Sequence, residues 1–180
     1  MKFVCDSIDL SYAAGTVVKA CAVRTLTPVL ECIRMQVKND GVTLSAYDGE
    51  LSIEKSFKAD VLEEGEACVN GRLFTDFIGK IGNTQITVGT EEQGLEIRYD
   101  DSRSFMQVLP ADEFPRLDCG ESIGSFEVEE GKFKNLVARS IFCCASDDSR
   151  PILKGCLLET EGGMLRASAL DGYRMATPAC

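Results

Sequence analysis

Histidine is absent from the 180 residues of this chain. Its absence excludes Ser-His-Asp and Cys-His nucleophile systems, and it excludes metal sites built on three histidines. The Gly-x-x-x-x-Gly-Lys-Ser/Thr and Gly-x-Gly-x-x-Gly patterns of phosphate-binding loops are missing as well. We therefore predict a protein that is not an enzyme and has no catalytic residues, no metal site and no cofactor.

Long apolar segments are also missing. The sequence has no run of about 18 apolar residues, which is the length that a membrane-spanning helix needs. The first residues, MKFVCDSIDL, lack the apolar core of a secretory signal peptide. We predict a cytoplasmic protein with no membrane partner.

The nine cysteines form an odd set without any Cys-x-x-Cys pair. Five of them have apolar neighbours in the sequence, namely Cys21, Cys32, Cys143, Cys144 and Cys156. This pattern favours small buried side chains over a disulfide framework or a zinc site. The alternative is a cysteine-based redox enzyme, which would need a thiolate of depressed pKa.

The formal net charge is −10, from 19 basic and 29 acidic residues. A chain with this charge does not bind nucleic acid through its overall field. A local basic face remains open, so the positions of the lysines and arginines matter more than their number.

The chain repeats itself at an offset of 123 residues, without a gap. Identical residues meet at Phe3 and Phe126, Cys21-Ala22 and Cys144-Ala145, Pro28 and Pro151, Leu30 and Leu153, Ser45-Ala46 and Ser168-Ala169, and Asp48-Gly49 and Asp171-Gly172. The period is too long for a solenoid. It indicates a duplicated domain whose second copy is incomplete.

Both copies predict the same order of elements. A strand, KFVCDS or SFEVEE, precedes a helix with apolar residues at helical spacing, from Leu10 to Cys21 or from Phe133 to Cys144. The strands VLECIRMQV and ILKGCLLET come next, followed by VTLSAY and MLRASAL. Each copy then reaches its Asp-Gly pair, where glycine allows a turn with positive φ.

The first copy continues beyond this point. ELSIEKSFKADV alternates like a strand, and RLFTDFIGKIG predicts a second helix with Asn70 as N-cap and Gly82 as C-cap. QITVGTE, LEIRYDD and SRSFMQVLP predict a three-stranded meander, and PADEFPRLDCGES links the copies. The predicted fold class is α+β, with sheet-rich repeats and two helices in a complete copy.

Three segments carry a resemblance to a known family. They are Arg24 with Pro28-Val29-Leu30, LPADEFPRLD at 109–118, and Arg150-Pro151-Ile152-Leu153 with DGYRMA at 171–176. In this order and register the chain closely resembles the bacterial DNA polymerase III beta subunit, the replication sliding clamp. The resemblance implies the DNA clamp fold, in which each domain places two helices on the inner side of a ring.

The resemblance also implies a domain division and a function. Residues 1–118 match the first clamp domain and 119–180 a truncated second domain, while the third is absent, so we expect a fragment or a truncated form. Full-length subunits form a homodimeric ring around double-stranded DNA, without sequence preference. The clamp is the processivity factor of DNA polymerase III. As an accessory subunit of that nucleotidyltransferase, it tethers the alpha subunit, the clamp loader and other clamp-motif proteins.

A sliding protein needs phosphate contacts without base readout, so cations outside the apolar helix faces are the DNA-binding candidates. These candidates are Arg24, Arg72, Lys80, Arg139 and Arg150. The resemblance implies that Arg24 and Arg150 match DNA-contacting positions. For Lys19, Lys132 and Lys134, an ordinary solvated charge is the favoured interpretation.

In this family, partner proteins insert short hydrophobic tails into a cleft of the second domain. The matching residues here are Leu153, Leu170, Gly172, Tyr173, Arg174 and Met175. Their apolar area, with Arg174 as a donor to peptide carbonyls or a carboxylate, suits such a ligand. The first-copy counterparts Glu50 and Leu51 do not. The alternative is that Tyr173 and Met175 pack in the core. The resemblance also implies that the opposite wall of the cleft belongs to the part of the second domain that this chain lacks, so we expect weak peptide binding.

Phe105 and Met106, near the end of SRSFMQVLP, match the edge where family subunits join. Phe105 fits the core equally well. The alternative function for the whole chain is a clamp fragment that forms no ring and acts only as a partner-binding module. Salt-dependent DNA binding separates these two functions.

Overall fold

The computed structural model describes residues 1–39, 41–92, 94–115, 124–147 and 149–180. The chain divides into two compact units, unit 1 (Met1–Cys119) and unit 2 (Gly120–Cys180). None of the helices formed by the described residues has both the length and the apolar character needed to cross a membrane.

The described part of unit 1 contains two antiparallel sheets of five strands and two α-helices. In chain order the elements are β1 (Lys2–Asp6), α1 (Ser7–Val17), β2 (Cys32–Lys38), β3 (Gly41–Tyr47), β4 (Ser52–Lys58), β5 (Asp60–Glu63), β6 (Gly65–Asn70), α2 (Gly71–Ile78), β7 (Gln85–Glu91), β8 (Gly94–Tyr99), β9 (Ser102–Met106) and β10 (Val108–Leu109). One sheet has the order β5-β1-β7-β8-β9 and the other β10-β6-β2-β3-β4. The predicted meander is confirmed as β7, β8 and β9.

One continuous core joins both sheets and both helices of unit 1. Side chains alternate between core and surface along the strands, so Met35 and Val37 of β2 are fully buried while Gln36 between them is not. Phe3 of β1 and Phe74 of α2 belong to the same core. Each such side chain contributes roughly 1.5–3 kcal/mol on burial. This core holds α1 against α2 and β4.

Helix α2 begins where the sequence predicts and ends earlier. The Asn70 side chain accepts a hydrogen bond from the Leu73 N–H at 3.0 Å, which confirms the N-cap. The predicted C-cap at Gly82 is wrong, because the helix ends at Ile78 and Gly79 is the C-cap. The N–H of Lys80 bonds to the Phe77 carbonyl three residues back, at 3.1 Å. This tighter turn closes the helix before the second glycine is reached.

From its α-helix onward, unit 2 repeats the order of elements in the first half of unit 1. Its elements are α3 (Glu130–Ala138), β11 (Leu157–Glu161), β12 (Met164–Leu170) and β13 (Met175–Ala176), and the strands form a sheet in that order. The five residue pairs between β11 and β12 correspond at the 123-residue offset to the five between β2 and β3. The two β12–β13 pairs likewise match pairs between β3 and β4. The predicted duplication is confirmed.

Two predicted strands start later than expected. A 3-10 turn spans Pro28–Glu31 before β2, and its counterpart spans Pro151–Lys154 before β11. Proline suits the first position of such a turn because its φ is fixed and its missing N–H needs no partner. The strands therefore begin only at Cys32 and Leu157.

Two other predictions are wrong about strands. SFEVEE at 125–130 forms no strand; its last residue, Glu130, opens α3. Its counterpart β1 pairs with β5 and β7, and at the 123-residue offset these strands correspond to positions after Cys180. ELSIEKSFKADV, at 50–61, spans β4 and the first two residues of β5, and these strands belong to different sheets.

Candidate functional site

The Asp-Gly loop after β12 exposes an aromatic side chain. Asp171 Oδ1 accepts hydrogen bonds from the backbone N–H groups of Tyr173 at 2.9 Å and Arg174 at 3.0 Å. These bonds hold the pKa of the Asp171 carboxyl below its usual value. Gly172 has a φ of 92°, which glycine adopts without strain. The turn leaves Tyr173 99% exposed, so its interpretation as a core residue is wrong.

A cleft of about 390 Å³ lies beside this loop. It is lined by Ala145, Asp147, Ser149, Arg150, Leu153, Asp171, Gly172 and Tyr173. Three of the six predicted cleft residues, Leu153, Gly172 and Tyr173, are thus brought together. Arg150, which the sequence predicts to contact DNA, lines the same cleft.

The other three predicted cleft residues do not line this cavity. Leu170 and Met175 pair across β12 and β13, and 38% and 63% of their surfaces are exposed. Core packing of Met175 is therefore also wrong. The Arg174 Nε donates to Asp171 Oδ2 at 2.8 Å, and the guanidinium lies 5.9 Å from the centre of the Phe142 ring. A guanidinium has five N–H donors, so Arg174 keeps others for a ligand.

Unit 1 carries a counterpart of this cleft with different side chains. Its volume is about 530 Å³, and it is lined by Lys19, Cys21, Ala22, Val23, Arg24, Asp48 and Glu50. Asp48 Oδ1 accepts from the N–H groups of Glu50 at 2.9 Å and Leu51 at 2.8 Å, as Asp171 does in unit 2. The backbone is therefore repeated, while a carboxylate stands where unit 2 has Tyr173.

Some cleft neighbours escaped the sequence-based prediction. Asp147 accepts from the Ser149 hydroxyl and from the Ser149 N–H at 2.9 Å, and these bonds, the hydroxyl first, lower the pKa of the Asp147 carboxyl. An Asp followed by Ser two positions later is a signal for such a turn. Phe142 is 56% exposed. It lies within the apolar segment that the sequence predicts to be a helix, so no sequence signal marks it as a neighbour of the cleft.

The predicted DNA-binding cations are all exposed and belong to both units. Arg24 lines the unit 1 cleft and Arg150 the unit 2 cleft. Arg72 lies in the first turn of α2, and Lys80 follows that helix. Arg139 is the C-cap of α3.

The lysines interpreted as solvated charges, Lys19, Lys132 and Lys134, are exposed too. Lys132 pairs with Glu129 at 3.1 Å. An exposed pair of this kind contributes little to stability.

The predicted interface residues lie on β9, at one edge of its sheet. Phe105 is 39% exposed, whereas Met106 is buried in the core of unit 1. Of the two, only Phe105 offers its side chain to a partner. The Arg103 guanidinium lies 4.6 Å from the centre of the Phe105 ring and also pairs with the buried carboxylate of Glu96.

Three buried cysteines of unit 1 are not prepared for thiolate chemistry. Burial raises the pKa of Cys5 to about 12, that of Cys21 to about 11 and that of Cys68 to about 12. These thiols stay protonated, which is the opposite of what a redox enzyme needs. The prediction of burial is wrong for Cys144 and Cys156, which are partly exposed. The described residues contain no cluster of three or more potential ligands arranged for a metal ion.

Comparison with known families identifies the fold. Residues 1–118 match the N-terminal domain of the DNA polymerase III beta subunit, and residues 127–179 match its central domain. This chain belongs to the DNA polymerase III beta subunit family. The α+β clamp fold expected from the resemblance is thereby confirmed, with the second copy incomplete.

Relatives of this beta-subunit chain are sliding clamps. It is 32% identical over 93% of its length to the beta sliding clamp of Pseudomonas aeruginosa, of which 45% is covered. A second relative, the beta sliding clamp of Halalkalibacterium halodurans, is 28% identical over 98% of the chain, with 49% of the relative covered. The chain spans about half the length of the curated relatives it matches.

Solved structures agree with these relatives. A crystal structure of the Pseudomonas aeruginosa sliding clamp bound to griselimycin gives a TM-score of 0.95 at 30% identity, covering all of this chain and 49% of that one. The Caulobacter crescentus polymerase III beta structure, at 24% identity, gives a TM-score of 0.93 and covers all of this chain and 51% of that one. The second likeness shows the shared fold alone.

Proposed function

We propose that this chain carries the N-terminal half of a replication sliding clamp, and that its unit 2 cleft receives partner proteins. The observation that carries the proposal is the meeting of Leu153, Gly172, Tyr173 and Arg150 in one cleft. In this proposal residues 1–118 form a complete clamp domain and 119–180 part of the next. The protein is a cytoplasmic accessory subunit that tethers polymerase and other replication proteins to DNA and catalyses no reaction itself.

The chemistry of the cleft suits a short hydrophobic peptide. Tyr173 is fully exposed and Leu153 is half-buried, so both have apolar area that a ligand covers. Gly172 carries no side chain, which leaves the backbone open to a peptide. Arg150 lines the cleft beside them and offers paired N–H donors to a carbonyl or carboxylate.

Titration of the ¹⁵N-labelled chain with two ligands tests the cleft. One is a synthetic peptide ending in Leu and Phe, and the other is griselimycin, to which the Pseudomonas aeruginosa clamp is bound. We expect the amide resonances of Leu153, Gly172 and Tyr173 to shift, with saturation only near millimolar ligand.

The unit 1 loop supplies the internal control. Asp48 and Glu50 have the same backbone hydrogen bond as Asp171 and Tyr173, so a nonspecific ligand shifts both loops alike. Equal shifts in the two loops, or no shift near Tyr173 at millimolar ligand, would contradict the proposal.

For DNA, we propose that five exposed cations contact phosphates. They are Arg24, Arg72, Lys80, Arg139 and Arg150. Their number predicts a steep dependence on salt, because each neutralised phosphate releases counterions. Fluorescence anisotropy of a labelled duplex, repeated at several salt concentrations, measures this slope. We expect Arg24→Gln to reduce the slope for every DNA sequence tested, and an unchanged slope would remove Arg24 from the DNA-binding surface.

The free edge of β9 is the proposed subunit contact of the full-length protein. Phe105 supplies exposed apolar area there, held beneath the Arg103 guanidinium. We propose that it packs against a second subunit when the homodimeric ring closes, while Met106 supports it from the core.

A second candidate function is a partner-binding module that does not encircle DNA. The distribution of charge favours it, because the net charge is −10 and α1 contains no lysine or arginine. The cleft, in contrast, lies within unit 2 alone. Peptide-induced shifts without DNA binding at any salt concentration select this module. Peptide-induced shifts together with salt-dependent DNA binding select the clamp.

A further inference from the structure

Two cysteine sulfurs approach each other next to the cleft in unit 2. Cys144 Sγ and Cys156 Sγ lie 3.5 Å apart, and both side chains are free thiols that are partly exposed. Cys156 Sγ is also 3.6 Å from the Ser140 hydroxyl oxygen. A disulfide bond is about 2.05 Å long, so the sulfurs need to approach by only about 1.5 Å to bond.

The first copy has no such pair of sulfurs at the corresponding positions, so the pair distinguishes unit 2 from unit 1. The counterparts of Cys144 and Cys156 are Cys21 and Ile33, both buried in the core. Gly71, at the start of α2, covers them so closely that a Cβ there would meet Cys21 Sγ and Ile33 Cγ1. Unit 2 has a second sulfur in place of the isoleucine, so two thiols face each other where unit 1 has one.

We propose that Cys144 and Cys156 form a redox-sensitive pair that closes into a disulfide bond and thereby fixes one wall of the unit 2 cleft. The effect on partner binding rests on the function proposed for that cleft, whereas the formation of the bond does not.

The position of the pair links it to the cleft. Ala145 follows the first cysteine directly, and Leu153 precedes the second by three residues; both line the cleft. The Ala145 N–H donates to the Leu153 carbonyl at 2.8 Å, so the two ends of the intervening segment already lie side by side. A disulfide at these ends reinforces an existing closure. It restricts the segment that carries Arg150 without forcing a new backbone path.

The oxidant is a peroxide. A thiol of the pair loses its proton, and the thiolate attacks the O–O bond, forming a sulfenic acid and releasing hydroxide, which takes up the proton to give water. The second sulfur then displaces water from the sulfenic sulfur as its S–H bond breaks and the S–S bond forms. Two thiols and one hydrogen peroxide give one disulfide and two waters. Burial raises the pKa of Cys144, so the reaction is slow and needs sustained oxidant.

Peptide mapping after oxidation tests the bond directly. The full chain carries Cys180→Ser, because Cys180 is exposed and free to bond between molecules. After hydrogen peroxide treatment, blocking of free thiols and digestion with trypsin, we expect residues 140–154 and 155–166 as one linked pair that lacks two hydrogen atoms. We expect the linked pair to disappear in Cys144→Ser and in Cys156→Ile. Isoleucine is the residue that the first copy has at the position of Cys156. Cys143→Ala keeps it. Absence of the pair, or its loss in Cys143→Ala alone, overturns the proposal.

Two further measurements test the consequence for the cleft. The first is limited digestion of the native protein with trypsin, in which we expect oxidation to slow cleavage after the exposed Lys154 several-fold and a reductant to restore it. Griselimycin and peptide titrations of reduced and oxidised protein follow, with an expected several-fold difference in affinity. A bond that forms without changing either readout overturns the effect on the cleft. If no ligand binds in either state, the proposed cleft function fails, while the linked peptides still decide the bond.

Discussion

A methyl group at Gly94 is the sharpest perturbation of unit 1 that the structure suggests. Gly94 has a φ of 122°, and a Cβ there would overlap the Met106 carbonyl oxygen of β9. A side chain at positive φ costs roughly 1–2 kcal/mol by itself. The overlap also pushes β8 from β9 where Leu95 pairs with Met106, and each hydrogen bond lost costs about 1 kcal/mol. We expect Gly94→Ala to lower the free energy of unfolding of unit 1 by about 2–4 kcal/mol.

Native-state hydrogen exchange measures this loss within unit 1, because the slowest amides of β7 and β8 report its global opening. Gly15→Ala is the matched control. Gly15 lies inside α1 with no atom near an added Cβ, so we expect it to stabilise the unit by about 0.5–1 kcal/mol. A loss below about 1 kcal/mol for Gly94→Ala, or equal effects at the two glycines, would refute the assigned conflict between Gly94 and β9.

Three further predictions concern the cleft and the core. Tyr173→Ala leaves the urea midpoint unchanged because the side chain is fully exposed, but it abolishes the peptide-induced NMR shifts, whereas the matched Glu50→Ala changes neither. The Tyr173 N–H, as the first cause, lowers the pKa of Asp171 in the folded state below the unfolded value of 3.8. The ionised carboxylate therefore stabilises the loop above pH 3.8, and this stabilisation is lost as the pH falls through the folded pKa. We expect the Tyr173 amide chemical shift to follow that loss in a pH titration. Gly71→Ala destabilises unit 1 by about 1–3 kcal/mol in urea unfolding, since its Cβ meets Cys21 Sγ, and adding Cys21→Ala recovers part of the loss.

The duplication was predictable because strand register follows from side-chain pattern. Apolar residues at matching positions of the two copies face the same way, and a slip by one residue would turn every side chain to the opposite face. The β2–β3 and β11–β12 registers therefore agree pair by pair. The Asp-Gly loops were predictable for a local reason: Gly49 and Gly172 both have positive φ, at 109° and 92°.

Other features depend on contacts that no local pattern contains. The segment 125–130 alternates like β1, yet a strand needs neighbours, and those of β1 have no counterparts within unit 2. The separation of β4 and β5 into different sheets also depends on tertiary pairing. For the site, Arg150 is distant in sequence from Tyr173, so their meeting in one cleft becomes visible only once β11 and β12 have paired.

The two Asp-Gly loops explain how one backbone serves two chemistries. In each loop the aspartate accepts the two following N–H groups and the glycine supplies the positive φ, so the fold fixes only these residues. The next side chain is free to differ. In unit 1 it is Glu50, a charged side chain in a cleft that Asp48, Lys19 and Arg24 also line. In unit 2 it is Tyr173, whose fully exposed ring offers apolar area in a cleft that Arg150, Asp147 and Asp171 also line. Charge does not favour an anionic ligand in unit 2, because two carboxylates face one cation there and two cations in unit 1. Under the proposed function, selectivity between the clefts therefore comes from the exposed apolar area of Tyr173.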